Sequence, residues 1–283
     1  MTFGGLTLPA SLTVFSIDGL TAFRATPVGP ERGVVLFVPG FTGSKEDHRF
    51  LVDLAARRGW DPYSYSQRGQ ADSIAPHGVD EYSLDKLAAD AVAVAESIGR
   101  GRPVHLVGHS LGGLVARAAA ILRPSVFADL TMLCSGPGGQ GTEHHRDDAA
   151  FVARHGTLAW WEHNNPLGAR NEDEVFVRDR AAASSDDNFL AMAAILRDTP
   201  DSSDALRHTG LPVLVAHGDS DDAWPIASQL AMARRVGARY EIIPNAGHLP
   251  NIDNPEYTTE LLDGFWSQRP GAQDPSTNDK GES

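Results

Sequence analysis

One cysteine, Cys134, stands in a chain of 283 residues. A single thiol excludes an internal disulfide framework and a cysteine-built zinc site, and it suits a reducing compartment. Its apolar neighbours predict a buried, inert side chain. Basic residues are also sparse. The 24 Lys and Arg face 37 Asp and Glu, giving a net charge of −13. No basic cluster stands out, which argues against nucleic acid or an anionic membrane as the main partner. No apolar run approaches the ~20 residues of a membrane span. The first fifteen residues, MTFGGLTLPASLTVF, lack the basic head and long apolar stretch of a secretory signal. What remains is the expectation of a cytoplasmic protein, monomer or homodimer, acting on a small molecule, with no cofactor and no metal required.

The hydrophobic fraction of 41% supplies a sizeable core at this length. Leu12–Ile17 and Leu20–Ala25, joined by Asp18-Gly19, read as a hairpin. Val34–Val38 is a continuous apolar run, the mark of a strand buried on both faces of a parallel sheet. Helical spacing follows at about 46–58, then a strand at 61–66 and a helix at about 84–98 with Ser83 as its cap. Val104–Val107 is the next strand, followed by an alanine-rich helix from Leu111, and Leu130–Cys134 is another. Alternation then stops. Residues 136–209 hold helical patterns and no convincing strand. It resumes with strands at 212–217 and 240–243 and helices at about 226–236 and 255–267. Such strand–helix alternation predicts an α/β fold, a mostly parallel sheet with helices on both faces. The expected division is a core of residues 1–135 and 210–267, a helical cap insertion over 136–209, and a disordered tail over 268–283, which is too polar to order itself.

The chemistry centres on Gly108-His109-Ser110-Leu111-Gly112, a G-x-S-x-G stretch between a strand and a helix. A serine on so sharp a turn needs neighbours without side chains two positions away. The turn lifts the hydroxyl into an open site beside the N–H groups of a helix start. In parallel sheets reactive groups gather at the carboxyl ends of strands. Two later strand ends offer partners: His217-Gly218-Asp219-Ser220-Asp221-Asp222-Ala223-Trp224-Pro225, and Asn245-Ala246-Gly247-His248. A serine needs a base to take its proton, and a carboxylate fixes the tautomer of an imidazole base.

With these motifs the chain resembles the α/β-hydrolases of the serine esterase and lipase type, over roughly residues 10–267. The resemblance rests on GHSLGG at 108–113, the spacing Gly218, Asp221, Pro225, and the Gly247-His248 pair. It implies Ser110 as nucleophile, His248 as base and Asp221 as acid; Asp219 and Asp222 do not fit the spacing. It also implies an oxyanion hole from the N–H groups of Phe41 and Leu111. The chain departs from the family pattern at Pro39, where a histidine is usual, and at Ala71, where the family loop has a second glycine. Pro39 leaves the Phe41 N–H in place but removes a side chain that could buttress the loop.

Gly40, His109, Trp160, Trp161 and Trp224 are candidate pocket residues. His109 sits on the sharp turn and is expected to point away from the serine. His217 reads as structural. His144-His145 with Asp147-Asp148 lacks the H-x-x-x-H spacing of a helical metal site and reads as a solvated loop. The implied reaction is hydrolysis of a small or medium carboxylic ester through an acyl-enzyme. The same triad serves amides, thioesters, lactones, C–C bonds or acyl transfer equally well. A different class altogether, a non-catalytic ligand receptor on this fold, would be favoured by an incomplete triad.

Overall fold

The computed structural model describes residues 6–140 and 143–268. Eight strands form one sheet in the order β1-β2-β4-β3-β5-β6-β7-β8. The hairpin β1 (Leu12–Ile17) and β2 (Leu20–Ala25) lies at one edge, and β2 runs antiparallel to β4. All remaining pairs are parallel. After β3 (Val34–Val38) comes α1 (Arg49–Arg57), then β4 (Asp61–Tyr65), α2 (Leu84–Gly99), β5 (Val104–His109), α3 (Leu111–Leu122) and β6 (Phe127–Leu133). The chain closes with β7 (Val213–Gly218), an adjoining helix, β8 (Arg239–Ile243) and two short C-terminal helices.

The central strands explain their own composition. In β3, Val34, Leu36 and Val38 enter the core on one face of the sheet, while Val35 and Phe37 enter the core on the other. Side chains alternate along a strand, so burial on both faces demands an unbroken apolar run. The first face packs α2 and α3 through Leu87, Ala91, Leu114 and Val115; the second packs α1 through Leu51 and Ala55. Truncating a fully buried side chain such as Phe37 costs about 3–5 kcal/mol. β5 lies between β3 and β6, so its carboxyl end opens at the middle of the sheet.

Between β6 and β7 the chain forms five helices: α4 (Glu143–His155), α5 (Thr157–Asn164), α6 (Glu172–Ala183), α7 (Asp186–Asp198) and α8 (Ser203–His208). They form the helical cap insertion. It joins the sheet side through apolar contacts of Met192, Ile195, Leu196 and Leu206 with the core, and through polar ones. Arg180 on α6 meets Asp47 at 2.6 Å, Arg49 meets Asp173 at 3.2 Å, and Asn188 on α7 donates to the Arg68 carbonyl at 2.8 Å. The last elements are α9 (Ile226–Val236), α10 (Pro250–Asp253) and α11 (Pro255–Trp266). Phe265 and Trp266 of α11 fill the core beside Phe37.

One expectation changes. His144 and His145 lie on α4 and not in a loop. There His144 reaches Asp148 one turn on, at 3.2 Å, and Asp148 also accepts from Trp160 Nε1 at 2.8 Å. The polar i, i+4 pair that stabilises this turn also hides it from a search for apolar spacing. The tail expected at 268–283 falls, beyond Gln268, outside the described residues.

Candidate active site

Ser110 is the residue between β5 and α3, with φ 55° and ψ −124°. A non-glycine residue there is strained. The flanking glycines permit the turn by close approach. A Cβ on Gly108 would lie 2.3 Å from the Gly112 carbonyl oxygen, and one on Gly112 would lie 2.3 Å from that of Val38. The Ser110 N–H donates to the Leu133 carbonyl of β6 at 2.9 Å, which pins the turn to the sheet.

His248 stands in the loop after β8 and Asp221 in the loop after β7. Ser110 Oγ lies 2.9 Å from His248 Nε2, and His248 Nδ1 lies 2.8 Å from Asp221 Oδ1. Three strand ends thus bring hydroxyl, imidazole and carboxylate into one hydrogen-bonded row. Asp221 is held from several sides. Gln229 Nε2 donates to its Oδ2 at 2.9 Å, and the Ala223 N–H donates to its Oδ1 at 3.1 Å. Burial pushes this carboxyl up, but hydrogen bonds from His248 and Gln229 outweigh burial and hold it below the usual carboxylate range. It therefore stays ionised, as a partner for an imidazolium requires. Asp219 is spent elsewhere: it accepts from the Asn245 N–H at 2.9 Å and so anchors the loop that carries His248.

His109 is buried, and its Nε2 donates to the main-chain carbonyl of His248 at 2.7 Å. It holds the His248 loop and does not face the serine hydroxyl. Burial, then the neighbouring His248, lowers its pKa to about 4, so it is a neutral donor at neutral pH. His48 lies beyond it, its ring stacked on Phe37 at 5.2 Å. Burial and the facing His109 lower its pKa to about 3. His217 is fully buried between the Gly218 carbonyl and the Tyr240 hydroxyl, a structural setting.

The loop after β3 carries Gly40 and Phe41. A Cβ at Gly40 would come 3.0 Å from Ser110 Cβ, so this backbone lies against the serine. Two glutamines from the loop after β4 hold it. Gln67 Nε2 donates to the Pro39 carbonyl at 2.9 Å, and Gln70 Nε2 donates to the Gly40 carbonyl at 2.8 Å. Gln70 Oε1 in turn accepts from the Gln67 N–H at 3.1 Å. Both side chains are buried. No cis peptide occurs among the described residues. In a trans peptide, C=O and the next N–H point in opposite directions. Fixing the Gly40 carbonyl therefore fixes the direction of the Phe41 N–H. Leu111 is the first residue of α3, where N–H groups have no partner within the helix.

Two cavities meet at Ser110 and His248. One, about 370 Å³, is walled by Phe41, Leu196 and Trp224 with His145 at its side. The other, about 350 Å³, runs past Gly40, Thr42 and Val177 toward the Arg180–Asp47 and Arg49–Asp173 pairs. Trp160 and Trp161 line neither; they wall a third cavity of about 260 Å³ inside the helical insertion. His109, Cys134 and His248 each place a ligand atom within 4.8 Å of the others. Both His248 nitrogens and His109 Nε2 are already committed within the row described above, and burial pushes the Cys134 thiol well up. A metal there would have to break the row apart.

Gln67, Gln70 and Gln229 escape a reading of the sequence, as does Arg117. The Arg117 guanidinium is buried and donates to the Gly136 carbonyl at 3.2 Å and to that of Pro137. The one available signal was two glutamines three apart in the loop that follows β4.

A parallel sheet with a hydroxyl at the central turn, and an acid and an imidazole at the two following strand ends, defines the α/β-hydrolase class. The sequence agrees: the profile of the alpha/beta hydrolase family matches residues 35–261, and the chain belongs to that family. It is 25% identical over 267 residues to a putative 2-succinyl-6-hydroxy-2,4-cyclohexadiene-1-carboxylate synthase of Bacillus subtilis, covering 88% of this chain and 95% of that one. It is 30% identical to the synthase of that name from an Enterobacter species, covering 81% and 89%. A thermophilic esterase from Thermogutta terrifontis superposes with a TM-score of 0.72 at 25% identity, over 90% of this chain and 96% of that one. Among the described residues no helix is long and apolar enough to cross a membrane.

Proposed function

We propose that the protein is a serine hydrolase that cleaves a small or medium carboxylic ester through an acyl-enzyme on Ser110. The observation that carries this reading is the unbroken row Ser110–His248–Asp221, with contacts of 2.9 and 2.8 Å. With Nδ1–H donated to Asp221, Nε2 of His248 holds a lone pair toward the Ser110 hydroxyl. Ser110 Oγ attacks the carbonyl carbon while its proton passes to Nε2. The carbonyl oxygen becomes an oxyanion beside the N–H groups of Phe41 and Leu111. Collapse returns the electron pair to the carbonyl, and Nε2 gives its proton to the departing alkoxide. Water, deprotonated by the same imidazole, then releases the acid. The helices of residues 136–209 serve as the cap over this centre, the rest of the chain through residue 267 as its core.

Turnover of p-nitrophenyl acetate and covalent labelling by a fluorophosphonate probe test the reading. Both are expected from the wild-type protein and neither from Ser110→Ala with its fold intact. Activity retained in Ser110→Ala would refute the assignment. One observation favours a second reading, a carboxylate-bearing substrate of the kind named in the synthase relatives. Arg49 lines the cavity at Ser110, and its Nε is buried with no hydrogen-bond partner among the described residues. A succinyl ester turned over faster than the butyryl ester, with the preference lost in Arg49→Met, would support it.

A further inference from the structure

The third cavity is separate from the two at Ser110, yet it shares walls with one of them. Thr42 and Val177 line both the 260 Å³ cavity inside the insertion and the chamber that holds Ser110 and His248. Toward the other chamber the way is closed by rings: Phe41 packs on Phe189 at 4.7 Å, and Phe189 on Trp160 at 4.9 Å. The inner cavity therefore adjoins the serine chamber across Thr42 and Val177.

The lining of this inner cavity is specific in character. Trp160, Trp161, Val177, Ala181 and Phe189 supply its apolar walls, and none of its residues carries a charge. Five polar residues, Thr42 among them, also line it, and the other four each turn a donor into the protein. Thr157 Oγ1 donates to Asp186 at 2.6 Å and Asn165 Nδ2 to the Trp161 carbonyl at 2.8 Å. Ser184 Oγ donates to the Arg180 carbonyl and Asn188 Nδ2 to the Arg68 carbonyl, both at 2.8 Å. A polar or charged guest would find few partners here and would leave its own groups unsatisfied. Walls that are mainly aromatic and aliphatic, and carry no charge, suit hydrocarbon.

We propose that this cavity is the specificity subsite for an uncharged apolar tail of the substrate, entered from Ser110 between Thr42 and Val177. At ~30 Å³ for each water-sized group, its 260 Å³ has room for a tail of at most about nine carbons. This inference rests on the ester-hydrolase reading above. Within it, the substrate is an ester with a medium alkyl or phenylalkyl arm, and the chamber with Trp224 receives the other, smaller side.

Two ester series tell which side of the ester carries the tail: p-nitrophenyl alkanoates from acetate to decanoate, and alkyl acetates from ethyl to octyl. In one of them kcat/KM is expected to rise about fourfold per methylene, the ~0.8 kcal/mol of burying one CH₂, and then to level once the cavity is full. Ala181→Phe fills the cavity and is expected to remove the rise. Val177→Ala widens the passage and is expected to move the plateau to longer tails. If Ala181→Phe does not fold, the Val177→Ala shift decides alone. A direct arm follows tryptophan fluorescence of Ser110→Ala protein titrated with methyl octanoate and methyl acetate. Tighter binding of the octanoate, lost in the Ser110→Ala/Ala181→Phe protein, is expected even where turnover is absent. No Ser110-dependent turnover with this binding pattern intact would overturn the hydrolase reading and keep the subsite. Acetate turnover with no gain along either series, or a gain that Ala181→Phe and Val177→Ala leave untouched, would overturn the subsite and keep the hydrolase reading.

Discussion

Replacing Gln70 by Met removes one donor, to the Gly40 carbonyl, and one acceptor, for the Gln67 N–H, at little change in shape. The side chains are similar in length, and Gln70 Nε2 already lies 3.7 Å from the Met192 sulfur. What is lost is the 3.1 Å bond accepted from the Gln67 N–H and the 2.8 Å hydrogen bond to the Gly40 carbonyl, which fixes the direction of the Phe41 N–H, the proposed oxyanion donor. Complete loss of an oxyanion donor costs about 2.7–4 kcal/mol of transition-state stabilisation. Here the donor remains and only its aim is freed, because Gln67 still holds the Pro39 carbonyl one residue earlier at 2.9 Å. The expected cost is therefore about half of that, or roughly 10- to 30-fold in kcat. The ground-state ester makes little use of an oxyanion donor, so KM should stay within about twofold. Stability should fall by about 1–3 kcal/mol, the cost of leaving a buried carbonyl without its partner. Steady-state kinetics on p-nitrophenyl acetate, with a boronic acid as a tetrahedral mimic, separate these effects: the mimic should bind more weakly in proportion to kcat. Gln70→Glu keeps the acceptor for the Gln67 N–H but not the donor, and should behave like Gln70→Met. A Gln70→Met protein with lowered melting temperature but unchanged kcat would refute the reasoning and reduce Gln70 to a structural residue.

Asp221→Asn should lower kcat by about 10⁴, the cost of a mis-set imidazole tautomer, measurable in the same assay; a drop under tenfold would remove Asp221 from the acid's role. Acid should destabilise the fold. Burial lowers the pKa of His48 to about 3 and of His109 to about 4, so both stay neutral when folded but take up protons near pH 6.5 when unfolded. The unfolded chain then binds more protons between about pH 6.5 and pH 4, and stability falls with pH by about 1.4 kcal/mol per unit for each histidine. Urea midpoints at pH 7 and pH 5 should differ accordingly, and equal midpoints would contradict the neutral buried pair. Gly112→Ala drives a Cβ to 2.3 Å from a backbone oxygen, and should cost about 3 kcal/mol, the upper end of overpacking. A variant as stable as the wild type would show the turn to be looser than described.

The apolar runs of β3 and β7 announce a two-faced sheet because burial on both sides leaves no place for alternation. The glycine-bracketed serine announces itself in the same way, since a sharp turn constrains local composition, whereas Asp221, among three neighbouring aspartates, and His248 are named through the family resemblance. The glutamines that steady the Pro39–Phe41 loop do not. Gln70 acts on a carbonyl 30 residues away, and a buried amide has no local pattern. Pro39 looks like a loss in the sequence, yet the loop is braced from β4 instead of from within. The helical insertion is the least legible part, because its attachments, Arg180 to Asp47 and Asn188 to Arg68, join residues more than 100 apart. For the same reason α4, with a polar pair on its first turn, passes for a loop.

Position 41 divides its labour between separable atoms. In the proposed reaction its backbone N–H serves the oxyanion, while its ring, packed on Phe189, is part of the partition between two chambers. Any residue but proline retains the N–H, so the chemistry is indifferent to the side chain that the partition is made of. The substrate range can therefore drift, in a lineage or in a saturation library at this one codon, through changes in wall shape that leave the reaction itself untouched.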